Sequence, residues 1–167
     1  MTDRRQFLSL AAVGSAAAAL FGWRTAPAAA SPAAETFEVT LSDAQWKAKL
    51  SPAAYRTLRH EATEYPGTSP LNHEKSAGTF WCAGCALPLF SSATKYDSGT
   101  GWPSFWKPLP NAVRTRIDGS LIFARTEVHC RRCGGHLGHV FDDGPAPTGK
   151  RYCMNGVAMT FHPGKAA

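Results

Sequence analysis

The chain has 167 residues, of which 44% are hydrophobic and 18% are charged, and its formal net charge is +6 at pH 7. This length gives room for one domain with its own core. The basic residues are spread along the chain rather than clustered, so the charge needs no nucleic-acid partner to explain it.

The first thirty residues have the three parts of an export signal. Arg4 and Arg5 precede an apolar stretch over 8–23, and the small residues Ala28 and Ala30 offer a cleavage site. Paired arginines indicate the twin-arginine route, so we expect an exported, periplasmic or secreted protein. The alternative is a membrane anchor, but the apolar stretch is shorter than the roughly 20 residues that span a bilayer. We therefore expect no stable membrane association.

The remainder of the chain is organised as a short lead-in and one domain. Removing residues 1–30 as a signal peptide leaves 137 residues and lowers the net charge to +4, because three arginines and one aspartate leave with them. Residues 31–40 are small and polar, which predicts a disordered lead-in. Residues 41–167 show no repeat and no second domain, so we expect a single domain there.

Two short helices are predicted at the start of this domain. Ser42 is a suitable N-cap for a helix that carries Trp46. Ser51 and Pro52 form a second cap, with proline at the first helical position, before a helix that carries Tyr55.

From Tyr65 onward, glycine, proline and serine separate short apolar and β-branched runs, which predicts strands and loops. The clearest hairpin joins 113–117 to 120–123 through a tight Asp118-Gly119 turn. A last strand is predicted from about Lys150 to Phe161. The domain is therefore expected to be mainly β.

Four of the five cysteines form two Cys-x-x-Cys pairs, Cys82 with Cys85 and Cys130 with Cys133. This spacing lets each pair grip one tetrahedral zinc ion from a tight turn, and four sulfur ligands leave no open position for catalysis. Two disulfides are the alternative in an oxidising compartment. Zinc is favoured because a bridge between cysteines three apart constrains little, whereas one ion joins segments separated by 44 residues.

The fifth cysteine, Cys153, then has no partner within the chain. If 150–161 is a strand, Arg151, Cys153 and Asn155 share one face. A neighbouring guanidinium stabilises the thiolate, so we expect the pKa of Cys153 to be lowered and the thiol to be a nucleophile. The alternatives are an inert core cysteine and half of an intermolecular bridge.

Two further motifs carry polar or aromatic side chains. His136 and His139 are three apart, a spacing that suits metal ligands or an acid/base pair, although such a pair is often structural. Because four sulfurs already satisfy the zinc, proton transfer is favoured, and Asp143 is a candidate to orient one imidazole. Trp102 lies on a Gly-Pro loop, where an indole recognises a small apolar group unless it is a core residue.

Taken together, these motifs resemble the methionine-R-sulfoxide reductase family. The resemblance covers nearly all of 41–167 and is carried by the motifs Cys82-x-x-Cys85, Lys95–Phe105, Cys130-x-x-Cys133, His136–Asp142 and Arg151–Asn155, after helices with Trp46 and Tyr55. It implies a mainly β fold of two antiparallel sheets, β-tent-like, with short N-terminal helices and a structural four-cysteine zinc site. It also implies reduction of the R epimer of methionine sulfoxide, free or in oxidised proteins.

The resemblance also assigns roles to residues. Cys153 matches the nucleophile, Trp102 matches the wall that accepts the substrate methyl, and Phe141 is a further substrate-binding candidate. The rest of the polar pocket matches His136, His139, Asp143, Arg151 and Asn155. We expect the Cys153 thiolate to attack the sulfoxide sulfur while His139, with His136 behind it, protonates the oxygen, leaving a cysteine sulfenic acid.

Two positions depart from the family's pattern. Many members carry a resolving cysteine where this chain has Thr100, so we expect an external thiol, either thioredoxin-like, glutaredoxin-like or small, to reduce the sulfenic acid. Gly156 stands where many members have serine.

The sequence also fits two rival functions. Paired Cys-x-x-Cys motifs and a pI near 9.3 also occur in zinc-ribbon modules that bind nucleic acid or protein. The free thiol also suits a zinc-stabilised enzyme that handles glutathione adducts.

Overall fold

A computed structural model describes residues 35–119 and 124–165. Within these residues, two short α-helices precede nine β-strands. The helices are α1 (Asp43–Lys49) and α2 (Pro52–His60). The strands are β1 (Gly78–Cys82), β2 (Pro88–Ser91), β3 (Lys95–Tyr96), β4 (Ser104–Phe105), β5 (Val113–Asp118), β6 (Arg125–Cys130), β7 (His136–Phe141), β8 (Arg151–Met154) and β9 (Met159–Pro163). The predicted signal peptide (1–30) lies outside the described residues.

Both predicted helices are confirmed together with their caps. Ser42 Oγ accepts a hydrogen bond from Gln45 N at 3.3 Å, and Gln45 Oε1 accepts one from Ser42 N at 2.8 Å, which completes a capping box. Ser51 Oγ accepts from Ala54 N at 3.2 Å at the start of α2. These local bonds satisfy backbone donors that the first helical turn leaves free, so short helices form where the serines stand.

The strands form two antiparallel sheets, as predicted. The smaller sheet has the order β2-β1-β9, and the larger has the order β3-β4-β8-β7-β6-β5. Every strand pair is antiparallel. Strand β8 lies between β4 and β7, near the middle of the larger sheet, so its side chains are surrounded by neighbours on both sides.

Aromatic side chains join the two sheets. Phe80 and Phe90 come from the smaller sheet, and both are fully buried. The ring of Phe105, on β4, lies 4.9 Å from that of Phe80 and stacks on that of Phe90 at 4.4 Å. Tyr152, on β8, meets Phe90 at 5.9 Å. This packing fixes the positions of β4 and β8, the two strands that carry Ser104 and Cys153.

Two strand predictions need correction. Asp118 pairs with Arg125 across β5 and β6, so residues 119–124 join these strands and Asp118-Gly119 is not a two-residue turn. The predicted second strand, 120–123, lies outside the described residues. The strand predicted over 150–161 divides into β8 and β9, which belong to different sheets. A 3-10 turn at Gly156–Ala158 separates them.

Residues 35–40 were predicted to belong to a disordered lead-in, but they contact the domain. Val39 N donates to Arg132 O at 3.0 Å, and the ring of Phe37 lies 6.0 Å from that of His129. The prediction overlooked Phe37 and Val39 as apolar anchors. Of the helices in the described part of the chain, none has the length and apolar character needed to cross a membrane.

Candidate active site

The site is built around Cys153 on β8. Its direct cross-strand partners are Ser104 on β4 and His139 on β7. Directly opposed residues of an antiparallel pair place their side chains on the same face, with Cβ atoms about 4.5–5.5 Å apart. The sheet register therefore sets the thiol of Cys153 beside the imidazole of His139.

A pocket of about 110 Å³ opens over this pair. Its walls are Thr63, Trp102, Arg125, Gly138, His139, Phe141, Cys153 and Asn155. Trp102 and Phe141 supply aromatic surface, while the thiol and imidazole supply polar groups. The volume is well below the roughly 300–1,000 Å³ of pockets for drug-sized ligands, so the site suits a group of a few heavy atoms.

The ionisation of Cys153 differs from the sequence prediction. Burial raises the pKa of the thiol, and the opposing effects of Thr100, Arg151 and Ser104 are too small to reverse this. Arg151 helps less than expected because its charge is already paired with a carboxylate. The expected lowered pKa is therefore wrong, and Cys153 is a thiol at neutral pH.

That carboxylate belongs to Asp143, which we expected to orient an imidazole. Instead, Arg151 Nε and Nη2 donate to its two oxygens at 2.8 Å each. The guanidinium also lies over the ring of Phe141, 4.4 Å from its centre. Asp143 thus holds Arg151 against Phe141. Other carboxylates, which were not predicted from the sequence, contact the imidazoles in its place.

The acids that contact the two histidines are Asp118 and Glu127. His139 Nε2 lies 2.8 Å from Asp118 Oδ2, and His136 Nδ1 lies 2.8 Å from Glu127 Oε1. The two imidazoles meet edge to face, with ring centres 5.3 Å apart. Burial lowers the pKa of His139 despite its hydrogen bond to the Asp118 carboxylate, so the imidazole is neutral near pH 7. His136 is not a pocket wall and stands behind His139.

Asn155 follows the end of β8 and is buried. Its Oδ1 accepts from Glu64 N at 3.0 Å, and its Nδ2 donates to Leu137 O at 3.1 Å. Glu64 O in turn accepts from Trp102 Nε1 at 3.1 Å. Asn155 therefore positions the backbone that holds the indole, and its amide is occupied by these bonds.

Five of the eight candidate pocket residues line the cavity, namely Cys153, His139, Asn155, Trp102 and Phe141. Asp118 was not among the predicted site residues because Asp118-Gly119 was assigned to a turn. Glu127 is a buried carboxylate on β6, and its burial became visible only in the structure. Glu64, whose carboxylate accepts from Gly156 N and Val157 N, stands in a loop and was likewise not predicted.

Gly156 has a defined packing reason. A Cβ atom there would lie 1.8 Å from Ser69 Oγ and 2.7 Å from Ser69 Cβ. Replacing Gly156 by serine should therefore lower the free energy of unfolding by about 1–3 kcal/mol, as overpacking does in a dense interior. Thermal unfolding measures this loss.

The control and the rescue for this prediction lie in the same chain. Gly119→Ser should leave stability unchanged, because nothing lies within 4 Å of the added Cβ. Ser69→Gly combined with Gly156→Ser should recover most of the loss. A stable single variant would show that Ser69 moves aside freely.

The four remaining cysteines form a separate cluster at the ends of β1 and β6. Their sulfur atoms all lie within 4.8 Å of one another. Cys82 Sγ is 3.7 Å from Cys133 Sγ, and Cys85 Sγ is 3.5 Å from Cys130 Sγ. These separations exceed the roughly 2.05 Å of a disulfide and approach the roughly 3.8 Å expected around a tetrahedral zinc ion. The cluster is therefore a possible metal site, and none of its members lines the pocket.

The fold and the site together define the class of protein to which this chain belongs. A free cysteine at the base of a small aromatic-walled pocket, beside a buried imidazole and apart from a four-sulfur cluster, is the arrangement of a thiol-based enzyme. The model of the SelR domain family matches residues 50–163, and the chain belongs to this family.

Similar proteins share most of their length with this chain. The peptide methionine sulfoxide reductase MsrB of Thiobacillus denitrificans is 53% identical over 123 residues, which are 73% of this chain and 93% of that protein. The MsrB of Agrobacterium fabrum is 50% identical over 75% of this chain and 94% of its own length. The MsrB of Methanosarcina barkeri is 51% identical over 74% and 87%.

Proposed function

We propose that this protein reduces methionine-R-sulfoxide, free or in oxidised proteins, to methionine. The observation that carries the proposal is the placement of Cys153 directly opposite His139 under a small pocket walled by Trp102 and Phe141. The family and the names of its relatives support the same chemistry.

The substrate's sulfoxide group matches the pocket in size and polarity. Its methyl group would pack against the indole of Trp102 and the ring of Phe141, and its oxygen would point to His139. Arg151, held by Asp143, keeps Phe141 in place, while Asn155 and Glu64 hold the indole. A fixed methyl and a fixed oxygen define one handedness at sulfur, which supports selection of one epimer.

The proton needed for the reaction is already in the site. Cys153 begins as a thiol and His139 as a neutral imidazole. The thiol proton passes to His139, where Asp118 stabilises the imidazolium, and then to the sulfoxide oxygen as the sulfur of Cys153 attacks. The net step moves one oxygen to Cys153 Sγ. It yields methionine and a cysteine sulfenic acid, with no other reactant consumed.

Reduction of the sulfenic acid requires an outside thiol. Thr100 stands beside Cys153, with Oγ1 3.8 Å from Sγ, in the position where many family members carry a resolving cysteine. The other four cysteines are grouped in their own cluster. A thioredoxin-like, glutaredoxin-like or small thiol would attack the sulfenic sulfur, release water and form a mixed disulfide that a second thiol resolves.

A single turnover without reductant should modify one cysteine only. Intact-mass and peptide analysis after reaction with one equivalent of substrate should find Cys153 as a sulfenic acid, which can be trapped by dimedone. An internal disulfide that involves Cys153 would contradict the external route.

The four-cysteine cluster would hold one structural Zn²⁺ per chain. Thiolate donors in tetrahedral reach of one centre suit this ion. Bound zinc would tie the turn after β1 to the turn after β6. Because four sulfurs complete its coordination, it would supply stability rather than chemistry.

The predicted export signal supports a reaction outside the cytoplasm. Residues 1–30 support twin-arginine export to the periplasm or beyond, and the function would then be repair of oxidised exported proteins. Transport of a folded protein would also allow zinc to bind before export.

An epimer-resolved assay tests the function. Purified protein is given each epimer of a methionine sulfoxide peptide, with thioredoxin, a glutaredoxin and dithiothreitol as parallel donors. We expect complete conversion of the R epimer and none of the S epimer. Turnover of neither epimer, or turnover of glutathione mixed disulfides instead, would reject the proposal.

A further inference from the structure

Three hydroxyl groups form a chain that ends at Cys153. Thr100 Oγ1 lies 3.8 Å from Cys153 Sγ and 2.8 Å from Ser98 Oγ. Ser98 Oγ lies 2.7 Å from Ser104 Oγ, and Ser104 Oγ donates to Trp102 O at 3.1 Å. The chain thus connects the reactive sulfur to a backbone carbonyl that can only accept.

The carbonyl of Trp102 determines the direction in which the hydroxyl groups donate their hydrogen bonds. Each hydroxyl has one hydrogen to donate. Ser104 gives its hydrogen to Trp102 O, so Ser98 donates to Ser104, and Thr100 is free to donate to Ser98. The oxygen of Thr100 can then accept the S–H of Cys153. In this arrangement every hydroxyl between the thiol and the carbonyl is paired.

Loss of the thiol proton reverses only one hydrogen bond, the one between Cys153 Sγ and Thr100 Oγ1. A thiolate has no hydrogen to give, so Thr100 must turn its hydrogen toward the sulfur. Ser98 Oγ then loses this donor but keeps the hydrogen bond that it accepts from Thr100 N at 3.5 Å. The bonds of Ser98 and Ser104 farther along the chain are unchanged.

We propose that Thr100 is a reversible hydrogen-bond partner of Cys153, which accepts from the thiol and donates to the thiolate, and that Ser98 is the positioning residue that competes for its hydrogen. The proposal rests on the proposed function, because it concerns the same sulfur. It gives Thr100 a role of its own where many relatives carry cysteine.

The other groups around the sulfur do not duplicate this role. Arg151 on the same strand is bound to Asp143, and His139 on β7 is bound to Asp118, which also accepts from Arg125 at 2.9 Å. Tyr96 on β3 also faces this region, and burial raises the pKa of its hydroxyl. Ser104 Oγ also acts on the sulfur, but its hydrogen is given to Trp102 O, so Thr100 is the member of this hydroxyl series whose hydrogen can turn toward Cys153.

The two residues should affect the thiol in opposite directions. Thr100→Val removes the donor to the thiolate, so Cys153 should be alkylated about tenfold more slowly at pH 7, which corresponds to about one pKa unit. Ser98→Ala removes the competitor, so Thr100 donates to sulfur throughout and alkylation should become a few-fold faster. Thr100→Ser should restore the wild-type rate.

The experiment is a pH profile of iodoacetamide alkylation of the zinc-loaded full chain, with Cys153 modification read by peptide mass spectrometry. Thr160→Val on the exposed face of β9 is the matched control and should not change the profile. Circular dichroism and metal content check that each variant is folded. If Thr100→Val does not fold, Ser98→Ala and Thr100→Ser decide the question.

The proposal would be overturned if Thr100→Val and Ser98→Ala changed the alkylation rate of Cys153 in the same direction, or if neither changed it. The alkylation reading is independent of sulfoxide turnover. Opposite shifts in a protein that reduces no sulfoxide would keep the hydroxyl switch and reject the enzyme function, so the two failures are distinguishable.

Discussion

Cys153→Ser should reduce turnover of methionine-R-sulfoxide by roughly 10⁴-fold or more, which is the scale of loss when a covalent nucleophile is removed. A serine hydroxyl is a far weaker nucleophile at neutral pH. It also cannot accept the sulfoxide oxygen, as the cysteine sulfur does when it becomes a sulfenic acid. The measurement is initial rate with saturating dithiothreitol. This donor avoids dependence on a protein partner.

The same variant should remain folded. Cys153 is only partly buried, and the cross-strand pairs of its backbone with Ser104 and His139 do not need the sulfur. Its melting temperature and zinc content should match those of the wild type. Sulfoxide reduction by a well-folded Cys153→Ser protein would show that another group performs the chemistry.

Cys130→Ser should release the metal and unfold the domain. Binding of structural zinc to four-ligand sites contributes about 10–16 kcal/mol. Whole domains are stable by only about 5–15 kcal/mol. Cys130 is fully buried, and its partner Cys85 belongs to the other Cys-x-x-Cys turn. Loss of this sulfur therefore disconnects the ends of β1 and β6, which the metal would join.

Metal content by atomic emission, together with thermal unfolding, measures this effect. Cys153→Ser is the matched control, since it also removes one sulfur but lies outside the cluster. Removal of metal from the wild type by a strong chelator should produce the same unfolding as Cys130→Ser. A metal-free protein with an unchanged melting temperature would contradict a structural role for zinc.

Much of the fold could be read from local patterns. Ser42 and Ser51 cap the helices that were predicted from them, because an N-cap acts on backbone groups within three residues. Both Cys-x-x-Cys pairs could be matched to a single centre because their spacing reflects the geometry of a tight turn. The two-residue turn predicted at Asp118-Gly119 was wrong for the same reason, since a local turn signal does not show that Asp118 belongs to the strand and pairs with Arg125.

The site shows the limit of such reading. Cys153, His139 and Trp102 were identified from residue type and neighbours in the chain, and the structure places them around one pocket. Asp143 was matched to the wrong partner, because proximity in sequence suggested an imidazole and folding brought it to Arg151. The carboxylates that do reach the histidines lie 9 and 21 residues away in the chain.

The sequence by itself therefore determined the mainly β fold, its capped helices, its four clustered cysteines and the presence of one separate thiol. Only the tertiary structure decided which acid faces which histidine and whether Cys153 is ionised at rest. The physical reason is that pKa values and ion pairs depend on burial and on distances through space. Here burial of Cys153 outweighs the guanidinium two residues away, which is already bound to Asp143.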